Sequence, residues 1–129
     1  VRTMSFVLQK GTPLFSEKIT DDLLELNIIA VMRLLFPDRL IPASLDVEGI
    51  VGLKERLDAG ANVVTSIIPP KGGLVGVSQS TLNIDDGNRT VKGVIPVLEK
   101  CGLVPAANKE YMDWVSKRKK ELVYCYSAY

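Results

Sequence analysis

The fold is decided by one stretch of the chain, Leu40 to Pro70, which reads LIPASLDVEGIVGLKERLDAGANVVTSIIPP. It contains two short apolar runs, at 40–45 and 62–68, and both predict β-strands. Asp46 is suited to cap a helix from about 47 to 59, and Gly60 suits the position just after it. A strand, a helix and a second strand in this order predict a parallel pair of strands.

A similar unit precedes this stretch. Residues 1–8, VRTMSFVL, are rich in strand formers and predict another strand. Thr20 can cap a helix that ends near Phe36, because Pro37 follows and disfavours helical backbone before it. The helix sequence, LLELNIIAVMRLLF, is apolar on nearly every side. We therefore expect this helix to be buried by more than one neighbour.

The remainder of the chain predicts two more helices after a long Gly/Ser/Asp loop. The first begins near Asn88 or Thr90 and contains Pro96, which should kink or break it. The second covers 108–122, and 123–129 is an unassigned tail. The side of this last helix that we expect to pack carries Tyr111, Trp114, Val115 and Leu122.

Three strand–helix units are too few for a closed (β/α)₈ barrel, which needs roughly 200–250 residues. Residues 1–122 could therefore form a small open α/β sheet or a part of a larger barrel. The helix that is apolar all round favours the part of a barrel, as does a first residue that is Val rather than Met.

Composition excludes several functional classes. Sixteen Lys+Arg against fifteen Asp+Glu leave almost no net charge, whereas nucleic-acid binding normally needs a basic surface. No apolar run reaches the roughly 18 residues of a membrane span, so we expect a cytoplasmic protein without membrane contact. The sequence has no histidine, and its two cysteines, Cys101 and Cys125, lack the spacing of a metal site.

Three polar residues on neighbouring strands predict a binding site. Alternation along a strand places Arg2 on a face with apolar residues, and it places Ser44 and Asp46 on one face of the second strand. Ligands bind at the carboxyl ends of parallel strands, where Ser44 and Asp46 lie. A guanidinium matches a carboxylate, and a carboxylate with a hydroxyl suits an ammonium. The set therefore suits an amino acid.

A structural alternative explains the same three residues. An Arg2–Asp46 salt bridge could order the sheet, with Ser44 as a small packing residue, and spacing alone favours this alternative. Thr65 and Ser66 are further polar residues in the third strand. Such residues are more often strand formers than ligands.

Two segments carry a resemblance to a known family. Phe6 to Leu14, FVLQKGTPL, resembles the F-x-P-x-x-GTPL segment of biotin synthase and its radical S-adenosylmethionine (SAM) relatives, with Leu8 where proline is common. The stretch from Leu40 to Pro70 is more specific and resembles the 3-methylornithine synthase family of pyrrolysine biosynthesis. This similarity covers roughly residues 1–115.

The resemblance implies a fold and a cofactor. The family forms a (β/α)₈ TIM barrel, and this chain would supply the C-terminal three βα units. The family binds one [4Fe–4S] cluster and SAM through a C-x₃-C-x₂-C loop in the N-terminal half of the barrel. This chain has no such run of cysteines, so we expect the missing half to supply the cluster and the chain alone to be inert.

The resemblance also implies a reaction and its site. The family's radical isomerases convert L-lysine to (3R)-3-methyl-D-ornithine. The residues that match the family's substrate contacts are Arg2 for the carboxylate, and Ser44 with Asp46 for amino groups. Pro42 lies where biotin synthases place an arginine ligand to a second cluster, so we expect no second cluster here.

Two other functions remain open at this stage. One is another radical SAM activity, of the biotin synthase or hydrogenase-maturation type. The other is a non-catalytic α/β binding or scaffold module.

Overall fold

A computed structural model describes residues 3, 8, 10–17, 21–68 and 89–126, with the side chains of residues 22 and 122–126 excepted. The predicted strand at 1–8 lies outside the described residues apart from two isolated positions. The elements, in chain order, are α1 (Asp22–Leu35), β1 (Pro42–Ser44), α2 (Leu53–Asp58), β2 (Val63–Thr65), α3 (Val91–Lys100) and α4 (Asn108–Tyr126).

The two described strands pair in parallel, as predicted, within shorter bounds. Pro42 lies opposite Val63, and Ser44 lies opposite Thr65. The ladder extends one residue further, because the Leu45 N–H donates to the Thr65 carbonyl at 3.2 Å. A crossover through α2 joins the two strands, which is the connection that parallel pairing requires.

The core lies between the helices and one face of this sheet. Alternation in β1 directs Ala43 and Leu45 into the core, where both are fully buried. Ser44 and Asp46 are thereby left for the opposite face. The remaining buried apolar side chains come from α1, α2, α3 and the residues just before each strand. They are Ile29, Met32, Ile41, Leu53, Leu57, Ala61 and Val94.

Helix α1 is covered on one side. Ile29 and Met32 are buried, whereas Leu34 is 83% exposed and Leu35 67% exposed. The expected burial by more than one neighbour is therefore not met among the described residues, in which α2 is the helix that packs on α1. The cap also differs from the prediction, because the Asp21 carboxylate, rather than Thr20, accepts the Leu23 N–H at 3.0 Å.

Helix α2 begins six residues later than predicted. Residues 47–52 form turns, with Gly49 at φ +61°, and Gly52 rather than Asp46 precedes the helix. Asp46 does not cap α2, because its carboxylate is bonded elsewhere, as described below. The end of the helix is as predicted. Gly60 has φ +114°, and the N–H groups of Gly60 and Ala61 bond back to the carbonyls of residues 57 and 56.

The last two helices differ from prediction at Pro96 and at the C-terminal boundary. Thr90 caps α3, and the helix continues through Pro96, which is exposed, so the predicted break is absent. Helix α4 reaches Tyr126, so residues 123–126 are helical and not a tail, and Cys125 lies in a helix. Across the described part of the chain, no helix combines the length and the apolar character that a bilayer span needs.

Candidate functional site

Four polar side chains meet beyond the carboxyl ends of β1 and β2. Ser44 is the last residue of β1 and Asp46 follows two positions later. Ser66 follows β2 directly, and Arg89 precedes the cap residue of α3. We call these four residues the strand-end cluster. The strand–helix topology brings them together from three separate parts of the chain.

The Asp46 carboxylate is the centre of the strand-end cluster. Its Oδ2 accepts hydrogen bonds from Ser44 Oγ at 2.9 Å and from Ser66 Oγ at 2.5 Å. Its Oδ1 accepts one from Arg89 Nη2 at 2.9 Å. The Asp46 N–H also donates to Ser44 Oγ, at 3.3 Å. The carboxylate is thus held in one orientation by partners on both strands and on the segment before α3.

Ser66 has an unusual backbone that Arg89 contacts. Its φ is +65°, a left-handed conformation that is uncommon for a residue other than glycine. The Ser66 carbonyl accepts from Arg89 Nη2 at 3.0 Å and from Nε at 3.3 Å. The Ile68 N–H donates to the Arg89 carbonyl at 2.7 Å. These contacts stabilise a conformation that typically costs about 1–3 kcal/mol, and such conformations concentrate at functional sites.

Burial distinguishes the members of the strand-end cluster. Arg89 is 2% exposed and Ser44 is 3% exposed, whereas the side chain of Asp46 is 23% exposed. The carboxylate is therefore the charged group that a ligand can reach. Among the described residues, Arg89 Nη1 and Thr65 Oγ1 are buried without a hydrogen-bond partner. Unpaired buried polar atoms are rare in proteins and require an explanation.

The sequence anticipated half of this cluster. Ser44 and Asp46 meet as predicted, and Arg2 lies outside the described residues, so its place in the site stays a prediction. Arg89 is the described cationic partner of Asp46 and was not anticipated, because more than about twenty residues of sequence separate it from β2. Ser66 was noted in the sequence, but a left-handed serine after a strand carries no local sequence signal.

A second buried arginine lies among the helices, away from the strand ends. Arg56 of α2 bonds to Glu25 of α1 through Nε and Nη2, both at 3.1 Å, and through Nη1 to Glu48 at 2.6 Å and to the Gly52 carbonyl at 3.0 Å. Burial disfavours its charged form, but the bonds to Glu25 and Glu48 outweigh this and raise the pKa of Arg56. We call Glu25, Glu48 and Arg56 the helix-layer triad.

The residues present do not fit an iron–sulfur cluster. Cys101 is half-buried at the end of α3, and no group of three His, Cys, Asp or Glu side chains in the described ranges could hold a metal ion. The sequence contains no C-x₃-C-x₂-C run either. What this chain offers is a carboxylate with two hydroxyls at the ends of parallel strands, which suits a cationic group of a small ligand.

Comparison with known proteins identifies relatives that share this fold. No family model matches the chain. The 3-methylornithine synthase of Methanosarcina barkeri is 49% identical over 111 residues, and that of Methanosarcina acetivorans is 50% identical over the same length. Each match covers 86% of this chain and 32% of the relative, in its C-terminal part. This chain therefore spans about a third of the length of the curated relatives it matches.

A solved structure agrees with the sequence matches. The crystal structure of a methylornithine synthase superposes with a TM-score of 0.76 at 47% identity, over 88% of this chain and 34% of that one. The described strands are parallel, as a (β/α)₈ barrel requires. By sequence and by fold, the chain is similar to the C-terminal third of proteins named 3-methylornithine synthase, and its parallel strands and helices match the corresponding part of that barrel.

Proposed function

We propose that this chain is the C-terminal third of a radical SAM isomerase that converts L-lysine to (3R)-3-methyl-D-ornithine. The observation that carries the proposal is the strand-end cluster. A carboxylate and two hydroxyls converge at the carboxyl ends of two parallel strands, the position where barrels of this kind bind their substrates. The relatives named 3-methylornithine synthase support the choice of reaction.

In this proposal, Asp46 and Ser44 bind an amino group of the substrate. The Asp46 carboxylate supplies the charge that an ammonium needs, and Ser44 Oγ, bonded to it at 2.9 Å, places a hydroxyl beside that carboxylate. The role of Arg2, which we propose binds the substrate carboxylate, rests on its match to the family alone. Together these residues would fix the carboxylate and an amino group of the substrate and so orient its carbon chain.

The radical chemistry in this proposal belongs to a [4Fe–4S] cluster and SAM, whose ligands lie outside this chain. The share of these residues is to bind and orient the substrate. That the 129 residues alone are inert stays a prediction, as does the cytoplasmic location.

Substitutions in the whole enzyme test the assignment of the site. In the anaerobically reconstituted full-length protein, Asp46→Asn removes the charge that pairs with the ammonium, and Arg2→Lys removes the bidentate fit to the carboxylate. Leaving one partner of a buried ion pair unmatched typically costs roughly 3–5 kcal/mol, so lysine affinity should fall about a hundredfold or more. A Glu55→Gln variant, at an exposed position of α2, serves as a control.

The outcomes separate the proposal from its rivals. SAM affinity should be unchanged in both site variants, and the product should be identified by mass spectrometry. Unchanged lysine turnover in both variants would leave the salt-bridge alternative standing. A different product would indicate another radical SAM activity. If the reconstituted enzyme forms no product in any SAM-dependent assay, the chain belongs to a binding or scaffold module.

A further inference from the structure

We propose that Arg89 is a positioning residue for the substrate site, which holds the Asp46 carboxylate and the left-handed turn at Ser66 in one fixed arrangement. This inference rests on the proposed function, because it assigns Arg89 a role in the same amino-group site. Arg89 acts through Asp46 and does not itself contact the substrate.

The guanidinium of Arg89 bridges the ends of both strands. Nη2 donates to Asp46 Oδ1 at 2.9 Å, beyond β1, and to the Ser66 carbonyl at 3.0 Å, beyond β2, and Nε adds a second bond to that carbonyl at 3.3 Å. A planar guanidinium can make these bonds at once because its donors are fixed in a fork. A lysine ammonium has the same charge, but it has no second nitrogen to replace the Nε bond to the Ser66 carbonyl and lacks the planar fork that fixes the three bonds together.

The position of Asp46 makes such a bridge necessary. The strand ladder ends at Leu45, so the backbone of Asp46 is not fixed by pairing with β2. The Ser66 hydroxyl reaches Asp46 Oδ2 because the backbone of Ser66 turns back with φ +65°. Without Arg89, this strained turn loses two hydrogen bonds to its carbonyl, and the carboxylate loses its bond at Oδ1. We therefore expect the acceptor for the ammonium to become misaligned.

Burial determines how Arg89 can act. Arg89 is 2% exposed, so its effect on a ligand has to pass through the more accessible Asp46. The bonds that Arg89 makes go to the Asp46 carboxylate and to the Ser66 carbonyl, the two groups around which the amino-group site is built.

The test measures lysine affinity in the full-length, reconstituted enzyme by titration calorimetry. Arg89→Gln and Arg89→Lys should each lower the affinity for L-lysine at least about tenfold, the size of a lost hydrogen bond to a charged group, and leave SAM affinity unchanged. Arg33→Gln is the matched control, because Arg33 also bridges backbone carbonyls, including Gly60 at 2.8 Å, but lies away from the strand ends. It should lower the melting temperature and leave lysine affinity unchanged.

Two further readouts distinguish positioning from a general loss of stability. The double variant Arg89→Gln/Asp46→Asn should bind lysine no more weakly than Asp46→Asn alone, because Arg89 acts through that carboxylate. The second readout is the preference for lysine over two analogues that each lack one amino group, norleucine and 6-aminohexanoate. In both Arg89→Gln and Asp46→Asn, this preference should decrease, and it should decrease against the same analogue.

The results that overturn the inference are specific. Wild-type affinity in both Arg89 variants, or strictly additive losses in the double variant, would make Arg89 a structural residue. Should Arg89→Gln not fold, Arg89→Lys alone decides the question. A wild-type enzyme that binds SAM but no lysine would remove the proposed function itself, whatever the Arg89 variants do, and with it this role for Arg89.

Discussion

The helix-layer triad and the strand-end cluster are two solutions to the problem of burying an arginine. Arg56 and Arg89 are 3% and 2% exposed, and each pairs with a carboxylate from a distant part of the chain. In the helix-layer triad every guanidinium nitrogen is bonded, the partner Glu25 is 5% exposed and the partner Glu48 is 31% exposed. In the strand-end cluster one guanidinium nitrogen is unbonded, and Asp46 is 23% exposed.

The position of the accessible carboxylate is what distinguishes the two regions. In the helix-layer triad the accessible carboxylate, Glu48, is bonded to Arg56, whereas Asp46 lies with two hydroxyls at the carboxyl ends of parallel strands, where barrels bind ligands. Substitutions in the helix layer should therefore change stability without changing lysine binding. Asp46→Asn should weaken lysine binding and also lower stability, because Arg89 stays buried beside an uncharged partner.

The largest stability effect should come from Arg56→Ala. It removes the buried ionic partner of Glu25 between α1 and α2, and breaking a buried ion pair typically costs about 3–5 kcal/mol in the free energy of unfolding. Urea unfolding of the full-length enzyme measures this loss, and lysine affinity of the folded fraction should stay at the wild-type value. A loss of lysine affinity without a loss of stability would reverse the roles that we assign to the two regions.

A smaller effect is expected from Gly60→Ala, at the joint between α1 and α2. Gly60 has φ +114°, and an added Cβ would lie 2.8 Å from the Cβ of Arg33. The matched control is Gly102→Ala, where φ is +68° and nothing lies within 4 Å. Both alanines pay for a left-handed backbone, about 1–2 kcal/mol, and Gly60→Ala adds the clash. Equal losses in the unfolding free energy of the two variants would show that the Arg33 side chain moves aside without cost.

The smallest effect concerns the contact between α4 and the segment after α1. Arg118 donates to the Asp38 carboxylate, and this hydrogen bond holds the pKa of Asp38 below its usual value of 3.8. A lowered carboxyl pKa in the folded state means that the contact stabilises above pH 3.8 and is lost as the pH falls below it. Arg118→Ala should therefore lower the melting temperature slightly at pH 7 and by less at pH 3. Because the pair is exposed, added salt should weaken the effect.

The sequence predicted the parts of the fold that depend on local pattern. Alternation placed Ser44 and Asp46 on one face of the strand, and Gly60 marked the end of α2, as the structure confirms. The start of α2 was predicted wrongly, because Asp46 is a good helix cap by type but is engaged by Ser66 and Arg89. A tertiary contact therefore overrode a local preference.

The unpredicted parts depend on contacts that are distant in sequence. Arg89 reaches Asp46 across 43 positions, and Arg56 reaches Glu25 across 31. No spacing rule indicates such pairs in a single sequence. The one-sided burial of α1 was missed for a related reason, because an apolar pattern shows that a helix can be covered but does not show by what.

The most direct test of the central claim is the stabilisation of the full-length enzyme by L-lysine. A ligand present at a hundred times its dissociation constant should stabilise the folded state by about 2.7 kcal/mol. The wild type and the helix-layer variant Glu25→Gln should have the same dissociation constant for lysine. Both should show this gain at a lysine concentration a hundred times that constant. Asp46→Asn, with affinity lowered about a hundredfold, should gain about 0.4 kcal/mol at the same lysine concentration. An undiminished gain in Asp46→Asn would contradict the account, because the strand-end cluster would then not be where lysine binds.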